Sequence, residues 1–159
     1  METTRHFTAT TYVVNDGATA LHEHGRLGIY LPPGGHIERD ELPHEAALRE
    51  VYEETGLEAE LVADRADVEA PNGRPLPEPA HQMLHDIDVY PDGSVGHQHI
   101  DHLYYARAPR RRIDPVGEDE ANADEWSWYT AADLRSSGFD ADVVALGCEA
   151  IEAVADARA

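Results

Sequence analysis

Between Pro43 and Gly56 the chain reads PHEAALREVYEETG, a run that leaves little conformational choice. Proline is favoured in a first helical turn, Ala46, Ala47, Leu48 and Val51 recur at helix-compatible spacings, and glycine is the residue best suited to end a helix. A helix is therefore predicted over Pro43–Thr55. Residues at i, i+3 and i+4 share a helix face, so Glu50, Glu53 and Glu54 project together while Ala47, Leu48 and Val51 turn elsewhere. Three like charges there repel one another. Read from the glutamates alone, two interpretations stay open: a solvated acidic face, or a ligand set for a hard divalent cation, Mg²⁺ or Mn²⁺, which prefers oxygen donors. Arg49 can bridge Glu45 or Glu53 at i±4 and hold part of this face in register.

Around this helix the pattern alternates strands with turns. His6–Val14 is rich in Thr, Tyr, Val and Phe, and Asn15-Asp16-Gly17 is a tight-turn signal before Ala18–His24, so a hairpin is predicted. An apolar piece, Leu27–Leu31, stops at Pro32-Pro33-Gly34-Gly35, which reads as an irregular loop. Leu57–Val68 reads as a strand, the proline-rich stretch Pro71–Pro79 as a loop, and His81–Tyr90 with His97–Arg107 as a second hairpin across Pro91-Asp92-Gly93-Ser94. Ala108–Asp124 reads as a polar connection. Glu125–Tyr129 is predicted as a short strand whose Trp126, Trp128 and Tyr129 alternate between core and solvent, and Ala141–Ala157 as a helix. Mixed strands with a few helices imply a sheet covered by helices. With no repeat and no internal boundary, one domain over residues 1–159 is expected.

Charge narrows the partners. The balance is −20, and all twelve basic residues are Arg. Such a chain repels itself at low ionic strength, whereas in molar salt the Debye length falls to about 3 Å. Adaptation to a salty cytosol is one reading, and the Arg-codon preference of a GC-rich genome is the other. Without a basic stripe, binding to duplex nucleic acid is not expected. Nothing approaches the ~20 consecutive apolar residues of a membrane span. One cysteine, Cys148, permits no intrachain disulfide, and the start METTRHFTATT carries no export pattern, so a cytoplasmic location is expected.

Gly35, Glu41, Arg49, Glu50, Val51, Glu53, Glu54, Gly56 and Leu57 fit the pattern Gly-x5-Glu-x7-Arg-Glu-U-x-Glu-Glu-x-Gly-U, where U is aliphatic, without a gap or a substitution. This stretch resembles the Nudix box, and Leu31–Glu38 resembles the family's usual lead-in. The resemblance implies an α/β fold of the α+β kind, a Nudix-like α/β/α sandwich with a mixed sheet. It also implies a metal-dependent hydrolase that cleaves the diphosphate bond of a nucleoside diphosphate linked to another moiety. Glu50, Glu53 and Glu54 would then hold Mg²⁺ or Mn²⁺ with the main-chain carbonyl of Gly35, while Glu41 and Arg49 organise the site. Many members recruit a further acid from a loop outside the box. In Glu118-Asp119-Glu120, Glu120 is the first choice for this base or ligand and Glu118 the second, with Glu53 itself as the alternative base and Glu54 beside it in the catalytic set. Candidate substrates are oxidised or ordinary nucleoside triphosphates, nucleotide sugars such as ADP-ribose, and dinucleoside polyphosphates. A homodimer is common in the family.

Two rival classes share the fold: a nucleotide sensor that binds without hydrolysis, and an isoprenoid diphosphate isomerase, which needs a cysteine near its substrate whereas Cys148 lies far along the chain. The histidines are the departure. His22, His24 and His36, with Arg110 from the basic run Arg110-Arg111-Arg112, are candidate substrate contacts. His97 and His99 share a strand face, but a zinc site there lacks a third ligand, because His102 projects oppositely unless the strand bulges.

Overall fold

The computed structural model describes residues 2–25 and 28–157. Among these residues eight strands form one mixed sheet: β1 (Thr4–Asn15), β2 (Ala18–His24), β3 (Ile29–Leu31), β4 (Gly34–His36), β5 (Glu60–Leu61), β6 (His81–Val89), β7 (Val95–Arg107) and β8 (Trp126–Thr130). Three α-helices among the described residues cover it, α1 (Pro43–Thr55), α2 (Ala131–Ser136) and α3 (Ala141–Asp156). The central path runs β3-β2-β1-β7-β5, with β4 also pairing β1, β6 pairing β7 and β8 pairing β2. β1 and β7 run parallel from Thr4↔His97 to Val14↔Arg107, and the other strand pairings among the described residues are antiparallel.

Alternation along β1 divides the core. Ala9 and Val13 face α1, where they meet Ala46, Ala47, Val51, Leu57 and Tyr104. Tyr12 and Val14 face the other way, against Leu134 of α2 and Val143, Leu146, Ala150 and Val154 of α3. Helices on both faces of one sheet make the α/β/α sandwich that the resemblance implies. No helix among the described residues is long and apolar enough to cross a membrane.

Helix α1 begins and ends as its residues require. Pro43 occupies the first turn, and the Glu45 carboxylate accepts the N–H of Leu42 (2.8 Å), satisfying a donor that the leucine side chain cannot. At the other end Gly56 is left-handed (φ 73) and its N–H returns to the Tyr52 carbonyl. Its missing side chain matters as well, because a Cβ there would collide with the carbonyl oxygen of Asp114.

Several expectations need correction. Residues 57–68 do not form a long strand: after Glu60–Leu61 and one bond from Val62 N–H to the Tyr105 carbonyl, the edge of β7 is taken by β6, which pairs from His81↔Leu103 onward. One edge accepts one strand. Pro32–Gly35 is not wholly irregular either, since Gly34–His36 pairs with Thr8–Thr10 of β1. Glycine permits this approach, because a Cβ on Gly34 would lie 2.8 Å from the Ala9 carbonyl oxygen. The expected strand start at Leu27 lies outside the described residues. Trp126, Trp128 and Tyr129 do not alternate between core and solvent, because all three pack against neighbours on one face of β8 or the other. Trp126 is 6% exposed, Trp128 packs with the Val51 cluster, and Tyr129 packs against the α3 side. Helix α2 was not anticipated, although Thr130 and Asp133 form a reciprocal capping box that marks its start.

Replacing Gly56 with Ala is expected to destabilise the fold by at least about 1 kcal/mol, because the residue must be left-handed and the Asp114 carbonyl must move. Urea unfolding of the variant beside the parent measures this directly.

Candidate functional site

The box folds around the guanidinium of Arg49. Its Nε and Nη2 donate to the two oxygens of Glu41 (2.6 and 2.9 Å), a bidentate fork that only arginine can make. Its Nη1 donates to Glu50 (2.8 Å) and to Glu53 (3.1 Å), and Nη2 also reaches the main-chain carbonyl of His36 (3.0 Å). One cation thus ties the loop after β4 to three glutamates. The hydrogen bond from Arg49 holds the Glu41 carboxyl below the usual carboxylate range, and Glu41 in turn raises the proton affinity of Arg49.

Glu54 lies deeper. One of its oxygens accepts the N–H of Gly34 (2.8 Å), fastening the helix to β4. Gly35 lies against the Glu50 carboxylate so closely that a Cβ would collide with it. That is the physical requirement behind this glycine. The Glu50 carboxylate can approach the backbone of residue 35 because nothing projects between them.

The fourth acid arrives from far along the chain. The N–H groups of Val116 and Gly117 both donate to the Glu53 carbonyl (2.9 and 2.8 Å), and Asp114 N–H donates to that of Thr55 (2.9 Å), so this connection is docked on the end of α1. A Cβ on Gly117 would lie 3.0 Å from a Glu120 oxygen and 3.2 Å from the Glu53 Cβ, so Glu120 and Glu53 flank the same glycine. Between Gly117 and Glu120 the chain turns through left-handed Asp119 (φ 60), a conformation that Asp tolerates better than most residues.

Burial and mutual repulsion leave Glu50, Glu54 and Glu120 reluctant to be charged. Glu54 is pushed up to about 8, by burial first and then by the charges of Glu50, Glu120 and Glu53. Glu50 is raised by burial and by Glu53 and Glu120, against the pull of Arg49. Glu120 is raised by burial, Glu53 and Asp119. Oxygen donors with an unmet demand for positive charge fit a hard divalent cation. Among the described residues, however, no three of these carboxylates place oxygens within 4.8 Å of one another, because Arg49 stands between Glu50 and Glu53.

An open cleft of about 940 Å³ adjoins this network at Glu41 and His36, and is lined also by Arg5, Phe7, Arg39 and His102. Of the candidate substrate contacts named in the sequence, His36 lines it. His22 does not: it is half-buried on β2 with its ring 4.6 Å from that of Trp126. His24 is exposed at the end of β2, and Arg110 donates to the Gly56 carbonyl at the end of α1. Arg5 and Phe7 give no sequence signal, and His102, weighed there only as a zinc ligand, is brought beside the box with them by the parallel register of β1 with β7. No local pattern encodes that register.

Two outcomes follow. Arg49→Lys is expected to lower affinity for a divalent cation by tenfold or more, since an ammonium cannot satisfy Glu41 bidentately while reaching Glu50 and Glu53. Titration calorimetry reads this directly. Because a cation must displace the proton that Glu54 retains, its affinity in the parent is expected to rise from about pH 6 to about pH 8 and then level off, with proton release on binding. Calorimetry in buffers of different ionisation enthalpy measures that release.

Known proteins place the arrangement. The NUDIX domain family model matches residues 5–146. A solved structure of a NUDIX-family hydrolase from Clostridium perfringens is 30% identical with a TM-score of 0.75, over 95% of this chain and 99% of that one. A MutT NUDIX hydrolase from Burkholderia pseudomallei (21% identity, TM-score 0.54, 95% and 98% of the two chains) and a MutT protein from Bacillus halodurans (16%, 0.61, 92% and 82%) share the fold. Among curated proteins none matches. The box, its sandwich fold and these likenesses agree: the chain belongs to the Nudix hydrolase family.

Proposed function

We propose that this Nudix hydrolase uses Mg²⁺ or Mn²⁺ to cleave the diphosphate bond of a nucleotide in which a nucleoside diphosphate is linked to a further group. The observation that carries this reading is the convergence of Glu50, Glu53 and Glu54 from one helix with Glu120 from a distant loop, three of the four with raised proton affinity. Glu50, Glu53, Glu54 and the Gly35 carbonyl would hold the cation, with Glu120 beside them. When bound, such an ion neutralises diphosphate oxygens and lowers the pKa of water.

The residues divide the remaining work. Arg49 and Glu41 keep Glu50 and Glu53 at the mouth of the site and prevent their mutual repulsion from splaying the helix face. Glu54, fixed by Gly34 N–H, sets the distance between α1 and β4. Glu120 is the general base: a carboxylate whose proton affinity is raised is better matched to taking a proton near neutral pH. It accepts the proton of a water whose oxygen bonds to one phosphorus while the bridging P–O bond breaks, leaving two phosphate-terminated halves. Arg5 and Arg39 offer charge for a phosphate chain in the adjoining cleft, and Phe7, 57% exposed, offers a face for a base. Oxidised or ordinary nucleoside triphosphates, nucleotide sugars such as ADP-ribose, and dinucleoside polyphosphates all present the required bond.

Glu53→Gln, Glu54→Gln and Glu120→Gln are each expected to lower kcat by about a hundredfold or more while the fold is kept. Phosphate and mononucleotide release, followed over a nucleotide panel with Mg²⁺ or Mn²⁺ at low and at molar KCl, is the measurement. Near-parent turnover in Glu120→Gln would move the base to Glu53. A folded protein that binds nucleotide but releases nothing from any member of the panel would be a sensor.

A further inference from the structure

On the face of the sheet that carries α3, but beyond that helix, histidines from three strands come together. The parallel register sets His6 of β1 directly beside His99 of β7, so the two side chains share a face. On the other side of β1, His36 of β4 pairs with Thr8, two residues from His6 and therefore on that face again. The rings of His36 and His6 are 5.2 Å apart, those of His36 and His99 5.0 Å, and those of His6 and His99 6.5 Å. Each of the three presents a ring nitrogen within 4.8 Å of the others. The third ligand that β7 could not supply by itself comes from the neighbouring strands.

We propose that His6, His36 and His99 form a binding site for a divalent d-block cation of the zinc type, distinct from the glutamate site. Three imidazoles and one water make a tetrahedral zinc shell, with zinc–nitrogen distances near 2.0–2.1 Å. Nitrogens in that shell stand about 3.4 Å apart, so closing from 4.8 Å asks for a small rotation of rings. His6 and His36 are exposed, and their rings meet edge to face with space to turn.

The surroundings favour a cation there. Burial first, and then the neighbouring His36, His97 and His6, lower the proton affinity of His99, against the pull of Asp101. Two residues along β7 the buried Asp101 accepts hydroxyl hydrogen bonds from Thr8 (2.8 Å) and Thr10 (2.9 Å), placing a negative charge behind the cluster. His97 stands at its border with its ring 4.6 Å from that of His6 and its Nδ1 paired to the Thr4 hydroxyl (2.8 Å), so its orientation is set by that bond. Imidazole nitrogens select zinc-like ions over Mg²⁺, whereas carboxylates accept Mg²⁺ and Mn²⁺ as well. An ion at the histidines ties β4 to β1 and β7, and β4 carries Gly35 of the glutamate site.

The test uses the untagged full chain, stripped with a chelator, saturated with Mg²⁺ to fill the glutamates, and titrated with Zn²⁺ against a chromogenic competitor. Expected is one Zn²⁺ per chain with a Kd below about 1 μM. Co²⁺ in its place should give the intense visible absorption of tetrahedral coordination. His6→Gln and His99→Gln should each weaken Zn²⁺ binding by about tenfold or more and remove the Co²⁺ band, and Glu54→Gln should leave both unchanged. His6 is exposed, so His6→Gln remains informative if the His99 variant does not fold. Zinc uptake equal in parent and His6→Gln, uptake lost in Glu54→Gln instead, or no uptake tighter than about 1 μM overturns the site. None of these readouts depends on hydrolysis, so failure of the zinc site and failure of the hydrolytic reading are separate results.

Discussion

The guanidinium of Arg49 holds together groups that electrostatics would drive apart. Three glutamates crowd one helix face in a chain of net charge −20, and a fourth is docked against them from a loop. Two unit charges at 4 Å interact by about 4 kcal/mol at an effective dielectric of 20, so such a cluster would splay without compensation. Arg49 supplies it by pairing with Glu41 bidentately and reaching Glu50 and Glu53 with the remaining nitrogen. Compensation is partial. Glu54 lies out of its reach and stays hungry for a proton, which is why the site is suited to take up a cation rather than merely to tolerate acids.

The second constraint is the parallel pairing of β1 with β7, strands more than ninety residues apart in the chain. It aligns Tyr12 with Tyr105 on the α3 side and backs Ala9 and Val13 beneath α1, so both cores depend on the same register. That register also assembles the cleft beside the box from Arg5, Phe7 and His102, and sets His6 beside His99. A slip by one residue would turn every one of these side chains to the opposite face. Stability, the cleft beside the box and the histidine cluster therefore rest on one alignment.

Local chemistry was legible wherever neighbours in sequence decide it. The helix over Pro43–Thr55 is found with those bounds, because proline, glycine and apolar spacing agree there, and the two hairpins follow from Asn15-Asp16-Gly17 and Pro91-Asp92-Gly93-Ser94. Leu57–Val68 misled, since its β-forming residues have no free edge to pair with once β6 occupies β7. Propensity cannot register competition for an edge. Gly34 and Gly35 misled in the opposite sense: residues that usually mark a loop here permit a strand to approach Ala9 and a carboxylate to approach the backbone. His22 and Arg110 had the chemistry of ligands, yet the structure gives one to Trp126 and the other to the end of α1.

The sequence by itself determined the box: which residues carry charge, that Glu50, Glu53 and Glu54 share a face, and that the helix bearing them starts at Pro43 and stops at Gly56. Those are consequences of spacing within one helix, where hydrogen bonds and side-chain directions are set a few residues away. Only the tertiary structure decided that Glu120 flanks Glu53, that Arg5, Phe7 and His102 border the box, and that His6, His36 and His99 share a face. Each of these depends on packing and strand register between distant segments, which are settled by burying apolar surface on both sides of the sheet and leave no trace in local pattern.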